Sequence, residues 1–397
     1  MKFEVNTANF KKLLKPVISG AYRADSVWFN AVSDRLEVTV VTKADVTVLV
    51  IAKRTNYPEL QYVCRNPGAG ALNAGELQNH LSTIRSANFS IEFPELARIV
   101  SIPDEEEQSI LMRNVITQDT VVTKSKSNQR FSIDARTLRN GISAVKYAMG
   151  SSETRPLLCG MVLELGEGTC RFMAGHGPFY TEKSIKNKKL IRNKNAIRIF
   201  LSSKSIGPII TALSAIPNQL LQCSLAKDKL VITGRQVQLY ITTQPESAQK
   251  YPNFDKILNY DYPHKLCVNM YDFTTAVKGM DGSFSKKDMQ SGDIPHVQMA
   301  VDTQSGLIIL TKDSNGAKAL RKIPLALHTK FSDAPDSIEF QCEIAFLTNV
   351  CKYYGDAKEL IIHCENYKKP ILIEPVNRAG KTTGSGNHDF IFFAICK

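Results

Sequence analysis

No apolar run in this chain is long enough to cross a bilayer as a helix. The longest, Val46 to Ala52 (broken by Thr47) and Phe390 to Cys396, fall far short of the ~20 residues a span requires. Lys11, Lys12 and Lys15 interrupt the N-terminal stretch, so no signal-peptide core is expected there. Nine cysteines, an odd number, are scattered without any Cys-x-x-Cys pair. Zinc-ribbon and thioredoxin-like spacings are thereby excluded, and reduced, mostly buried thiols in a cytoplasmic compartment are expected. Seven histidines are dispersed, none at ligand spacing from another His or Cys, so no metal is expected.

Catalytic motifs are missing too. There is no Gly-x-Ser-x-Gly elbow and no Cys/His nucleophile setting. Gly68-x-Gly70 precedes an expected helix, but no Gly-Lys-Ser/Thr follows, and a flexible loop into a helix is the simpler reading. Gly380-Lys381-Thr382 ends like a phosphate loop, yet Pro375 stands where its first Gly belongs and the stretch reads as a polar hairpin. Asp104 to Glu107 is the densest carboxylate run. It reads as a turn, and a metal-dependent nuclease, which would want such a cluster, is the rival class. A chain of 397 residues without an acid, base, metal or nucleotide cluster is expected to bind or scaffold, with no cofactor.

What is present is an ordinary globular composition, 43% apolar and 22% charged, with a net charge of +12 unevenly spread. Residues 131–263 carry 18 Lys and Arg against 9 Asp and Glu, so the middle third supplies +9 of that total. Lys183, Lys186, Lys188, Lys189, Arg192, Lys194 and Arg198 crowd one stretch with only Glu182 near by. Two readings stand: a solvated loop, or contact with a polyanion such as nucleic-acid phosphates.

The chain also repeats itself. Phe131-Ser132-Ile133-Asp134-Ala135-Arg136-Thr137-Leu138 reads as a short strand, an Asp cap and an amphipathic helix with Leu138, Ile142 and Val145 on one face. The same pattern opens the chain at Phe3 to Phe10, with Asn6 in the cap position, and returns at Leu266 to Phe273, with Asn269 there. The copies start 128 and 135 residues apart (Phe3 to Phe131, Phe131 to Leu266), which predicts three domains at 1–129, 130–263 and 264–397. Helices are expected over about 8–18, from Leu72 to Ile84, over 202–213 and over 344–353. Strands are expected at 36–41, 46–52, 89–93, 98–102, 109–115, 220–225, 230–233, 360–364 and 371–374. The fold class is α+β, each domain being two halves of a helix followed by antiparallel strands. The outward helix faces carry Lys11, Lys12, Lys15, Arg85, Arg136, Arg139, Lys146, Lys204, Lys278 and Lys352, which suits phosphate contact without base reading.

Met1-Lys2-Phe3 with Leu13-Leu14-Lys15-Pro16, Arg155 with Leu158 and Gly160, Gly175-His176, and Tyr251-Pro252-Asn253-Phe254 follow in order on the threefold repeat. Together they resemble the bacterial β sliding clamps, the processivity subunits of DNA polymerase III, along essentially the whole chain. The resemblance implies a head-to-tail homodimeric ring of six domains around double-stranded DNA, helices lining the hole and continuous sheets outside. It implies a clamp-loader ATPase that opens the ring, a DNA polymerase tethered to it, no catalysis, no cofactor and no membrane. Arg23 matches a DNA-contacting arginine of the family. An apolar cleft for a partner's short peptide would use Leu158, Met173, Gly175, His176, Pro252, Ile257, Phe393 and Ile395. The subunit interface would use the strand near Ile110 to Met112 and the start of the third domain's first helix. The chain departs from the family in Ala174, in Gly177-Pro178, in its C-terminal residues and in its basic charge. A clamp-fold docking hub that does not encircle DNA is the nearest alternative.

Overall fold

The structure is a computed structural model that describes residues 1–15, 17–18, 26–42, 46–93, 98–102, 129–150, 155–176, 179–193, 195–216, 218–255, 260–282, 296–302, 306–314, 317–331, 338–365, 370–376 and 388–393. The first stretch forms β1 (Lys2–Asn6), α1 (Thr7–Leu14), β2 (Ser26–Val32), β3 (Arg35–Val41), β4 (Val46–Lys53), β5 (Val63–Asn66), β6 (Gly68–Asn73), α2 (Ala74–Thr83), β7 (Asn88–Glu92) and β8 (Arg98–Ile102). There follow β9 (Gln129–Asp134), α3 (Ala135–Val145), β10 (Gly160–Gly166), β11 (Thr169–His176), β12 (Phe179–Lys186), β13 (Ile191–Arg192), β14 (Ile197–Ser202), α4 (Ser203–Ser214), β15 (Leu220–Ala226), β16 (Lys229–Thr233), β17 (Val237–Thr242) and α5 (Pro245–Lys250). The last are β18 (His264–Asn269), α6 (Met270–Asp281), β19 (His296–Asp302), β20 (Leu307–Ser314), β21 (Ala317–Pro324), β22 (Ile338–Glu343), α7 (Ile344–Tyr353), β23 (Glu359–Cys364), β24 (Ile371–Val376) and β25 (His388–Phe393).

One local device builds most of this. In β1–α1, β6–α2, β9–α3, β14–α4, β18–α6 and β22–α7 the strand runs into the helix with no loop, and the strand's last residue begins the helix. Asn6 Oδ1 accepts from Asn9 N at 3.1 Å, and Asp134 Oδ1 from Thr137 N at 2.8 Å. Asn269 Oδ1 accepts from Tyr271 N at 2.8 Å. A fourth copy appears at Asn73, which accepts from Gly75 N and Glu76 N at 2.9 and 3.0 Å. Each such bond satisfies an otherwise orphaned helix N–H and contributes ~1 kcal/mol. The repeat also fixes which side chains go inward: Phe3, Phe131 and Leu266 before the cap and Phe10, Leu138 and Phe273 after it are all buried.

The chain divides into two compact units. The first comprises Met1–Ser143, Leu165–Gly168 and Lys188–Ala248. It holds a nine-stranded antiparallel sheet in the order β13-β9-β15-β16-β17-β4-β3-β2-β6 and a four-stranded sheet in the order β5-β1-β7-β8. Strict alternation sets the register of β4, whose Val46, Val48, Val50 and Ala52 are buried while the residues between them are not. β17 joins β4 with Leu239 opposite Val48, so residues more than 180 apart in sequence share one ladder. Under the first helix, Phe3, Phe10, Phe29, Tyr62 and Phe89 form an aromatic cluster with centroid separations of 5.3–6.3 Å.

The second unit comprises Ala144–Glu164, Thr169–Asn187 and Gln249–Lys397. Strands β10-β11-β12-β25-β24-β23-β18 lie in that order in one sheet, and β21-β20-β19-β22 form a four-stranded sheet. β12 pairs with β25 from Phe179 opposite Phe393 to Ser184 opposite His388. Phe273, Val277 and Met280 of α6 and Phe346, Leu347 and Val350 of α7 bury against both sheets in one apolar core.

Several expectations need correction. The first helix stops at Leu14, not near residue 18, although Val17 stays buried as its pattern required. The Gly-rich segment and Leu72 form strand β6, because pairing with β2 overrides the weak strand propensity of Gly-Ala-Gly-Ala; α2 begins only at Ala74. The basic stretch is not one loop: Lys183 and Lys186 lie on β12, Arg192 on β13 and Arg198 on β14, while Lys188 and Lys189 lie in the turn between β12 and β13. The strand expected at 109–115, the acidic run Asp104 to Glu107, the Ile110 to Met112 edge and Gly380 to Thr382 lie outside the described residues.

Candidate nucleic-acid interface and peptide cleft

In the first unit the expected cations sit on or just beyond three helices. Lys11 and Lys12 lie on α1, Lys15 follows its end, Arg136 and Arg139 lie on α3, and Lys204 lies in the first turn of α4. Lys12, Lys15, Arg136 and Lys204 are exposed, and Lys11 and Arg139 are half-buried. None of these three helices has a carboxylate in its first turn. Lys11 has a structural task as well: its Nζ donates to Ile84 O at 3.2 Å, supplying a cation and a donor at the end of α2. Arg85 is exposed but lies beyond α2, in the connection to β7, and not on a helix face as expected. Between α1 and α2 runs a cleft of about 380 Å³, floored by Leu14, Ile18 and Leu81 and rimmed by Lys11, Lys12, Lys15, Gln78 and Ser82.

In the second unit Lys146 belongs to the short 3-10 turn Lys146–Ala148 after α3, while Lys278 and Lys352 lie in the last turns of α6 and α7. All three are exposed. A lysine in a last turn also meets the negative end of the helix dipole favourably. Exposed Lys and Arg on regular helices can meet phosphates while leaving base edges unread. Arg23 lies outside the described residues.

The residues assigned to a peptide cleft gather in this second unit around the end of β11. A Cβ on Gly150 would meet His176 Cδ2 at 2.4 Å and Leu158 O at 3.1 Å, so the glycine lets the histidine ring approach the backbone closely. Gly150 N donates to Leu158 O at 2.8 Å, which fixes the turn that presents Leu158. Gly175 is pressed in the same way: a Cβ there would lie 3.1 Å from Phe179 O and 3.2 Å from Phe254 Cζ. Phe254 stacks on Tyr180 with centroids 4.0 Å apart, and exposed Pro252 lies two residues before it. Met173 is buried and is core, not surface. Phe393 pairs with Phe179 at the end of β25. Ile257 and Ile395 lie outside the described residues. Leu158, His176 and Gly150 are thus brought together, and Gly175, Pro252 and Phe393 belong to the neighbouring β11–β12–β25 end.

Sequence reasoning missed the polar cluster that holds this end together. Arg171 donates from Nε and Nη2 to Glu182 at 2.8 and 2.9 Å, from Nη1 to Glu164 at 3.0 Å and from Nη2 to Asp255 at 2.7 Å. Tyr180 Oη donates to Glu182 at 2.7 Å. Glu182 is 3% exposed, so its charge is sustained by these donors. The hydrogen bond and charge of Glu182 raise the Arg171 pKa, and burial, then Glu182, raise that of Tyr180. The signal that could have found the cluster is the i, i+2 spacing of Tyr180 and Glu182 on β12, which puts both on one face of the strand. Facing His176 and His296, Glu343 has its carboxyl pushed up by burial and drawn back by the two histidines.

Two lysines of the basic stretch have partners within their own units. Lys183 Nζ donates to Tyr353 Oη at 3.0 Å and sits 5.5 Å above that ring. Lys188 pairs with Glu167 at 2.7 Å. Among the described residues no group of three or more His, Cys, Asp or Glu could hold a metal ion, and no helix is long and apolar enough to cross a membrane. The eight described cysteines form no disulfide with one another.

Paired helices over antiparallel sheets that continue from one repeat to the next define an α+β protein built on repeated strand–helix units. The chain has the DNA sliding-clamp fold. It superposes over 100% of its length on 99% of a DNA polymerase sliding clamp from Bacillus subtilis, with a TM-score of 0.83 at 14% identity. The beta chain of DNA polymerase III from Streptococcus pneumoniae gives 0.81 at 12%, and the beta subunit from Thermotoga maritima 0.77 at 12%, each over 100% of this chain and 99% of theirs. No family model and no curated protein matches the sequence.

Proposed function

We propose that this protein is a DNA sliding clamp. Two copies close head to tail into a ring of six domains, each chain contributing domains at 1–129, 130–263 and 264–397. The ring encircles double-stranded DNA, a clamp-loader ATPase opens it, and a DNA polymerase is tethered to it for processive synthesis. The protein itself is non-catalytic, needs no cofactor and works in the cytoplasm.

The observation that carries this reading is the full-length match to the clamp fold together with the loop-free strand–helix unit at six positions. Lys12, Lys15, Arg23, Arg85, Arg136, Arg139, Lys146, Lys204, Lys278 and Lys352, with Lys11, supply weak phosphate contacts. Topology, not contact strength, then retains the ring, so the contacts stay loose enough to slide. Leu158, His176, Gly175, Pro252, Ile257, Phe393 and Ile395, backed by Met173, receive a partner's short linear peptide.

The test is retention on nicked circular DNA after loading, followed by linearisation with a restriction enzyme. Retention on the circle and loss from the linear form is the expected result. Retention that ignores the cut and follows only salt concentration overturns the ring and leaves a basic DNA-binding protein.

A further inference from the structure

A second cleft, of about 490 Å³, lies within the first unit, away from α1 and α2. Its walls are Arg130, Phe131 and Ser132 of β9, Ile191 and Arg192 of β13 with Asn193, Gln222 of β15, Lys188, and Glu167 and Gly168 at the β10–β11 turn. We propose that this cleft docks an extended acidic peptide from a partner protein.

Charge is the first argument. Arg130, Lys188 and Arg192 stand against one carboxylate, Glu167, which Lys188 already engages at 2.7 Å. Arg130 and Arg192 are exposed and make no ion pair among the described residues. Strand registry puts them on one face: Arg192 is opposite Ser132, two residues along β9 from Arg130. Two guanidinium forks on one face suit carboxylates held bidentately.

The cleft is also built, not merely basic. Asn193 is nine-tenths buried, donates through Nδ2 to Asn195 O, and has an Oδ1 that accepts no hydrogen bond. Ser132 Oγ donates to Gln222 Oε1 at 3.0 Å, which leaves the Gln222 amide N–H groups for a ligand. Gly168 has φ +65°, and a Cβ there would meet Lys188 Cγ at 2.4 Å, so glycine lets the lysine stem close the wall.

The backbone offers the remaining contacts. β13 spans only two residues and pairs with Ser132 and Ile133, so Arg130 and Phe131 have no strand neighbour on that side among the described residues. An extended peptide can add to this edge, its N–H groups supplying what Asn193 Oδ1 lacks. A phosphodiester chain has no such donor, and Phe131, 4% exposed, offers no ring for base stacking. The chemistry therefore favours an acidic peptide over nucleic acid. Nothing in this inference depends on the ring closing around DNA.

The test is fluorescence anisotropy of the full-length protein with a labelled peptide alternating glutamate and valine, a glutamine–valine control and labelled oligothymidine. Saturable binding of the glutamate peptide alone is expected. Arg130→Gln with Arg192→Gln should weaken it at least about tenfold, and Asn193→Ala should weaken it too, while Lys322→Gln on β21 leaves it unchanged. Arg130→Lys with Arg192→Lys keeps the charge but removes the forks, and should also lose affinity, which guards against a folding defect in the neutral variant. Unchanged affinity in either double variant overturns the proposal. So does oligothymidine binding of equal strength that the same substitutions abolish.

Discussion

Phe179 stacks on Phe346 with ring centroids 4.7 Å apart and planes 9° from parallel. Phe179 opens β12, opposite His176 on β11 and Phe393 on β25, so this stack anchors α7 to the end of the sheet where the cleft residues gather. Phe346 is buried, and Phe346→Ala should cost ~3–5 kcal/mol in urea unfolding. A double-mutant cycle with Phe179→Ala should return a coupling of ~0.5–1.5 kcal/mol. Strict additivity would show that the two rings act independently.

Arg171→Met should be more damaging than its half-exposed position suggests. It strips Glu182 of two hydrogen bonds and leaves a buried carboxylate with, among the described residues, only the hydroxyls of Tyr180 and Ser184 as donors. A loss of ~3–5 kcal/mol is expected. Adding Glu182→Gln to Arg171→Met should recover a large part of that loss, because the buried charge is gone.

Gly150→Ala tests the packing under His176. Its new methyl group needs the space of His176 Cδ2, so the ring must swing out, at ~1–3 kcal/mol of overpacking. The His176 ring resonances should shift in the NMR spectrum, and affinity for the partner peptide should fall. An unchanged His176 environment would refute the close approach.

Stability should fall at alkaline pH through buried thiols. Burial raises Cys351 to about 11 and Cys364 to about 12, from 9.0. A raised pKa in the folded state means that the neutral thiol is favoured there. This stability is fully present below about pH 9 and is lost as pH rises through the folded values. Thermal midpoints measured upward from pH 9 should decline, and Cys364→Ala should make the decline shallower. Below pH 9 the native protein should resist thiol reagents at both residues.

On DNA the structure separates cations that the sequence groups together. Arg136→Gln with Arg139→Gln should reduce the slope of log affinity against log salt by ~2. Lys183→Gln should leave that slope unchanged, because Lys183 is turned onto Tyr353. Equal effects from both would show that the basic stretch meets DNA as a continuous surface.

The strand–cap–helix repeat was legible because its physics spans eight residues. A cap bond reaches two or three residues along, and the buried positions on either side follow strand and helix periods. Asn6, Asp134 and Asn269 could therefore be read directly, as could the alternation of β3 and β4 and the apolar face of α3. The cap at Asn73 was hidden because the strand before it is mostly Gly and Ala, whose place in a sheet is decided by the neighbour β2.

What the sequence determined by itself was the three strand–cap–helix copies, their caps and their inward faces, since each depends on contacts close along the chain. Only the tertiary structure decided that β17 lies against β4, and β12 against β25. It alone collected Glu164, Glu182 and Asp255 around Arg171, and it divided the basic stretch between an aromatic ring and a cleft. Most of those choices bring together residues far apart along the chain, and the balance of burial and charge that selects them exists only once the sheets have formed.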